Sequence, residues 1–262
     1  MKKYQTTFFL CLTLLFGLGA VLAVPWNGLS YFQLWRDVRS GNVVYSGDTS
    51  RKSVALTFDD GPDPRYTPQV LNILKKRHIK ATFFVCGDMV KKHPELLKRI
   101  VREGHAIGNH TDTHPHLETR TLVEVGKEID DCQTEILKVT GVKSNLFRCP
   151  RGFLNGKIVH SAIVRGYKVI QWSLAFDRSA IKDSRKLRNR VVDAARPGDF
   201  ILMHDGSNTS SIQRTPTIRE LDSLVLGLSN RGFTFDTVPG LLETKMAHQT
   251  SGLQNGANSS KM

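Results

Sequence analysis

At 262 residues, 40% hydrophobic and 23% charged, the chain carries enough apolar side chain for one sizeable core, which argues against disorder as its default state. Its formal net charge of +13 favours anionic partners such as nucleic acid, acidic lipid or a charged cell-wall polymer. No zinc-finger spacing and no aromatic RNA-binding signature accompanies that charge, so no nucleic-acid partner is expected.

The chain opens with Lys2 and Lys3, followed by an apolar stretch from Phe8 to Val24. That is the layout of a secretory signal, with Val21-Leu22-Ala23 suited to cleavage after Ala23. The stretch is slightly short for a spanning helix, and an uncleaved membrane anchor is the alternative. Both place the protein outside the cytoplasm: secreted, periplasmic or anchored at the cell envelope. Residues 24–49 read as a linker, 50–242 as a single domain, and 243–262, rich in Ser, Asn, Gly and Gln, as a disordered tail. Removal of Cys11 with the signal leaves Cys86, Cys132 and Cys149, enough for at most one disulfide.

Within the domain, short apolar runs alternate with amphipathic segments. The first run, Val54 to Phe58, ends in Asp59-Asp60-Gly61-Pro62. A helix is predicted near Thr67 to His78, a strand from Ala81 to Cys86, a helix from Glu95 to Arg102 and a strand from Ala106 to Asn109. Leu122, Val125, Ile129, Cys132, Ile136 and Val139 recur every three or four residues, the spacing of a core-facing helix. A strand at Leu146-Phe147, a helix from Ile158 to Val164 and a strand from Lys168 to Leu174 follow. The helix Leu187 to Ala195 stops before Pro197-Gly198 and leads into the strand Phe200 to Met203. A last helix, Ile218 to Leu228, and a strand from Phe233 to Val238 complete about seven βα units. Such alternation implies a parallel α/β sheet closing into a barrel.

Polar residues gather where these strands end, the face on which parallel α/β folds collect catalytic groups. Asp59 and Asp60 follow the first strand, His110 and His114 the third, Arg148 the fourth, Asp177 the fifth, and His204 and Asp205 the sixth. Two imidazoles four residues apart share a face if His110 to His114 makes a helical turn, although Pro115 disfavours helix at His114. With one carboxylate they form a three-ligand shell that leaves a position open, the pattern of a catalytic zinc site. Adjacent acids leaving a strand point in different directions, so one of Asp59 and Asp60 can bind metal while the other accepts a proton.

Thr57 to Pro62, His110 to His114, Arg148-Cys149-Pro150-Arg151-Gly152 and Leu202-Met203-His204 resemble four motifs of the NodB-like polysaccharide deacetylases, carbohydrate esterase family 4. The resemblance runs from about Ser53 to Val238 and implies a distorted (β/α)7 barrel, a NodB homology domain. It implies Asp60, His110 and His114 as ligands of a divalent metal, Zn2+ by donor set, with Co2+, Ni2+ or Mn2+ able to fill the same shell. It further implies Asp59 as general base oriented by Arg148, and His204 as the acid that protonates the leaving amine. A backbone N–H near Arg151 would stabilise the oxyanion, and Leu202 would line the acetyl pocket. Arg151 stands where the family often has tyrosine, and no tryptophan follows Asp177, which is assigned as the orienting partner of His204. The implied function is removal of N-acetyl groups from a peptidoglycan or chitin-like polysaccharide. An O-acetyl esterase and a catalytically silent glycan-binding barrel are the alternatives.

Overall fold

A computed structural model describes residues 36–176, 183–207 and 214–244. Strands and helices alternate. The strands are β1 (Val43–Val44), β2 (Ser53–Asp59), β3 (Thr82–Val85), β4 (Ala106–Asn109), β5 (Leu146–Phe147), β6 (Lys168–Ile170), β7 (Leu174–Ala175), β8 (Phe200–His204) and β9 (Thr234–Phe235). The helices are α1 (Thr67–Lys76), α2 (Gly87–Lys92), α3 (Pro94–Arg102), α4 (Leu122–Thr140), α5 (Gly156–Ile163), α6 (Ser184–Ala194) and α7 (Thr215–Asn230). Spatially the strands run β1-β6-β5-β4-β3-β2-β8-β7, every neighbouring pair parallel, with β9 alongside β2. The curled sheet with its helices is the distorted (β/α)7 barrel expected from the sequence.

The periodicity of β2 explains the layers. All seven of its residues are buried, as in the middle of a parallel sheet covered on both faces. Val54, Leu56 and Phe58 face outward and pack with Leu71 and Leu74 of α1, Ile100 of α3 and Leu224 of α7. Ala55 faces inward to Phe84 and Phe200, and residues 238–244 close that end of the barrel with Val238 and Leu241. A third cluster joins Phe147 and Val169 to Ile129 of α4 and Ile158 of α5. Each fully buried side chain of this size contributes roughly 1.5–3 kcal/mol relative to exposure. Thr121 starts α4 with a reciprocal capping box to Glu124, and Gly141, at φ 71°, ends it.

Three local expectations change. Residues 43–44, read from sequence as linker, form β1, which pairs with β6. The predicted strand Lys168 to Leu174 is two strands, β6 next to the β1 edge and β7 at the other edge of the sheet order. Between them the Gln171 N–H donates to Val44 O and the Ser173 N–H to Phe200 O, so the chain itself bridges the two sheet edges. Leu122, expected to face the core, begins α4 with 49% of its surface exposed, while Val125, Ile129, Cys132 and Ile136 are buried. Cys86, Cys132 and Cys149 are all free and buried. The proposed signal segment and the C-terminal tail lie outside the described residues. No helix among the described residues is long and apolar enough to cross a membrane.

Candidate active site

Parallel strands place Asp59 and Asp60 at the end of β2, His110 just beyond β4, Arg148 just beyond β5 and His204 at the end of β8. Asp59 is directly in register with His204. Arg148 is completely buried, and all three of its guanidinium nitrogens donate hydrogen bonds. Nη1 donates to Asp59 Oδ1 at 2.7 Å and Thr57 Oγ1 at 2.8 Å, Nε to Ile170 O at 3.2 Å and Nη2 to Gln171 O at 3.1 Å. Its guanidinium carbon lies 4.0 Å from the Phe84 ring centroid, a cation–π contact inside the barrel. Burial lowers the Arg148 pKa from its ordinary value, and the Asp59 carboxylate opposes that shift.

Asp60, His110 and His114 form the one cluster of potential metal ligands among the described residues, with ligand atoms within 4.8 Å of one another. Asp60 Oδ1 is 3.5 Å from His110 Nε2 and 3.2 Å from His114 Nε2. His110 Nδ1 lies 2.7 Å from Arg148 O. A carbonyl only accepts, so Nδ1 carries the proton and the Nε2 lone pair faces Asp60. Asp60 Oδ1 is itself buried and has no hydrogen-bond partner. An uncompensated buried carboxylate oxygen is costly, and a cation between it and the two imidazoles would satisfy it. The residues present therefore fit a divalent metal, by an orphaned acceptor as well as by ligand type.

The electrostatics agree. Burial by itself raises the Asp60 pKa, but the close approach of His110 and the charges that His204, His110 and His114 carry once protonated at low pH outweigh it and hold the carboxyl well below the usual range. Burial, reinforced by the His110 charge, takes His114 down to about 4, keeping its ring neutral and its lone pair available.

The two histidines do not converge through a helical turn. Thr111 and His114 instead adopt positive φ, at 71° and 56°, and Asp60 and Arg151 do so at 72° and 59°. Four non-glycine residues in the left-handed region concentrate backbone strain of order 1–3 kcal/mol each around one site, as functional sites often do. Arg151 reaches back along the same rim, Nη1 donating to Pro115 O at 3.1 Å and His114 O at 3.3 Å. Leu202 is 1% exposed and shares the inward face of β8 with His204. Asp177 lies outside the described residues. His105 and His116 have local partners, Ala81 N–H and Glu118.

Two residues at the site receive no role from the sequence motifs. Arg214 Nη2 donates to Asp60 Oδ2 at 2.9 Å. Asp205 is fully buried and takes a 2.5 Å hydrogen bond from Thr67 Oγ1. Burial, joined by the charges of Asp60, Asp59 and Asp63, raises it to about 7 against the Thr67 hydrogen bond. Asp205 sits beside Gly61, where a Cβ would lie 2.5 Å from its Oδ1, so the Asp-Gly-Pro turn needs glycine for this close approach. Asp205 was visible at a strand end, whereas Arg214 precedes a helix and carried no motif.

Comparison with known proteins follows the same outline. A polysaccharide deacetylase family profile matches residues 46–170. The chain is 36% identical over 208 residues to the peptidoglycan-N-acetylmuramic acid deacetylase PdaA of Bacillus subtilis, covering 78% of this chain and 76% of that protein. It is 37% identical over 209 residues to a peptidoglycan-N-acetylglucosamine deacetylase of Bacillus cereus, covering 79% and 95% respectively. The crystal structure of the Bc1960 peptidoglycan N-acetylglucosamine deacetylase superposes with a TM-score of 0.75 at 30% identity, covering 80% of this chain and 96% of that one.

Proposed function

The chain belongs to the polysaccharide deacetylase family, carbohydrate esterase family 4, and on that premise we propose that it hydrolyses N-acetyl groups of peptidoglycan or a chitin-like polymer at the β2–β8 rim. The observation that carries this reading is Asp60 Oδ1, a buried acceptor without a partner that faces two imidazole nitrogens beside an arginine-held Asp59. Asp60, His110 and His114 would hold a divalent metal, Zn2+ by preference for this nitrogen–oxygen set, though Co2+, Ni2+ and Mn2+ suit the same donors. That metal would supply Lewis acidity, polarising the acetyl carbonyl and acidifying the attacking water.

The remaining steps belong to the protein. Arg148 fixes Asp59 through Oδ1 and leaves Oδ2, 3.8 Å from His110 Nε2, to accept a proton from water. Water oxygen bonds to the carbonyl carbon. His204, in register with Asp59 across the strand pair, donates a proton to the nitrogen as the C–N bond breaks, giving acetate and a free amine. An amide nitrogen leaves poorly until protonated, so this proton is required. Asp177 would orient His204. The Arg151 backbone N–H would stabilise the oxyanion, and Leu202 would contact the acetyl methyl. The basic surface and the apolar N-terminal stretch fit export to an anionic envelope polymer, with residues 1–23 as cleaved signal or retained anchor.

Acetate release is the test, using peptidoglycan and chitooligosaccharides with chelated protein, zinc-restored protein and Asp59→Asn. Zinc-dependent release that Asp59→Asn abolishes supports the reading, and the faster substrate identifies the polymer. Absence of release from both polymers, with one equivalent of metal bound, refutes N-deacetylation. Hydrolysis of acetylated xylan by that same protein would then identify an esterase.

A further inference from the structure

The two adjacent acids differ in a way that the ligand set does not explain: each has its own buried guanidinium. Asp59 is held by Arg148, and Asp60 by Arg214. We propose that Arg214 is a positioning residue for the metal centre. By tying Asp60 Oδ2, it makes Asp60 a one-oxygen ligand through Oδ1 and sets the coordination of the bound cation. This rests on the metal-site reading above.

The geometry supports it from three sides. The 2.9 Å contact engages Oδ2 alone, while Oδ1 has no hydrogen bond and faces His110 and His114. A carboxylate with both oxygens free can swing, or offer both to a cation. One pinned by a guanidinium at Oδ2 leaves only Oδ1 to a cation. Arg214 is itself anchored, because its Nε donates to Gly206 O at 2.8 Å. Gly206 lies against the backbone of Asp60, where a Cβ would come 2.3 Å from Asp60 O. Arg214 therefore ties the loop after β2, at Asp60, to the loop after β8, at Gly206. Finally, Asp60 has a φ of 72°, a left-handed backbone state uncommon outside glycine that the surrounding contacts, Arg214 among them, must hold in place.

The experiment uses the full-length protein, Arg214→Gln and Arg214→Lys. Zn2+ affinity is measured by competition with a chromophoric chelator, and coordination by the visible absorption of the Co2+-loaded protein. Metal-free circular dichroism checks that each variant is folded. Arg214→Gln should bind Zn2+ about 10–100-fold more weakly and change the Co2+ spectrum. Arg214→Lys, which keeps the charge and the length needed to donate to Oδ2, should recover much of both. Were Arg214→Gln unfolded, Arg214→Lys would carry the test, with a smaller affinity loss and an intermediate spectrum expected. Binding within about twofold of wild type by Arg214→Gln would overturn the proposal. So would equal weakening of both variants with an unchanged spectrum, the mark of general loosening. Failure of the wild type to bind one equivalent would refute the metal site as well, whereas normal wild-type binding with an indifferent Arg214→Gln refutes the positioning role alone.

Discussion

Replacing Arg148 with methionine should destabilise the metal-free protein more than lost packing explains. The substitution leaves the Asp59 carboxylate, 3% exposed, without its cation, and breaking a buried pair from one side costs about 3–5 kcal/mol. Ile170 O and Gln171 O lose their arginine donors as well, at about 1 kcal/mol each. Thr57 keeps its bond to Ile201 O, whereas the guanidinium contact with the Phe84 ring is lost. Relief of the guanidinium's desolvation offsets part of this, so the net loss should be about 3–4 kcal/mol. Urea unfolding in excess chelator measures it without metal linkage, followed by tryptophan fluorescence. The decisive comparison is Arg148→Met with Asp59→Asn. Because the uncompensated charge is gone, the double variant should be at least about 1 kcal/mol more stable than Arg148→Met alone. A double variant no more stable than the single would refute the argument that the ion pair, rather than arginine's bulk, holds this part of the barrel.

Gly108→Ala places a Cβ 2.2 Å from Phe84 Cδ1, and a melting experiment should show about 1–3 kcal/mol of overpacking cost. Burial, reinforced by Lys80, lowers His105 to about 4, and its Nδ1 accepts the Ala81 N–H. The unfolded chain then binds the proton more readily, so this contribution is complete above about pH 6.5 and is lost as pH falls toward 4. Relative to His105→Gln, the wild type should lose on the order of 2 kcal/mol across that window in pH-dependent urea titrations. Parallel titration curves would remove His105 from the account. Chelation should lower the melting temperature and Zn2+ restore it, by about 4 kcal/mol at a thousandfold excess over Kd. That response should vanish in Asp60→Asn, and a persistent shift would place the metal elsewhere.

Strands with strong apolar character were legible from sequence to the residue: Ala106–Asn109 and Leu146–Phe147 stand as expected. The seam was not. Lys168 to Leu174 reads as one strand, and only three-dimensional closure shows that Gln171 and Ser173 pair with different strands. Val43-Val44 is too short to signal a strand without β6 beside it. The site residues belonging to motifs were readable because their chemistry is local to strand ends. The backbone route that unites His110 with His114 was not, since positive φ at Thr111 and His114 has no composition signal in residues other than glycine. Arg214 was hidden for another reason: its partner Asp60 is 154 positions away, and an arginine before a helix has no distinctive spacing.

The bridging segment between β6 and β7 links catalysis to architecture. Ile170 O and Gln171 O at that closure are bonded by the same guanidinium that orients Asp59. The fastener of the wall and the aligner of the base are one side chain. A barrel ajar at this closure has no oriented base, so activity acts as a gauge of integrity and should fail in mild urea before helical circular dichroism does. It also limits how the protein can change. Widening the cleft for a bulkier polymer by loosening this edge would disable the chemistry, so room for new substrates has to come from the loops above the strand ends.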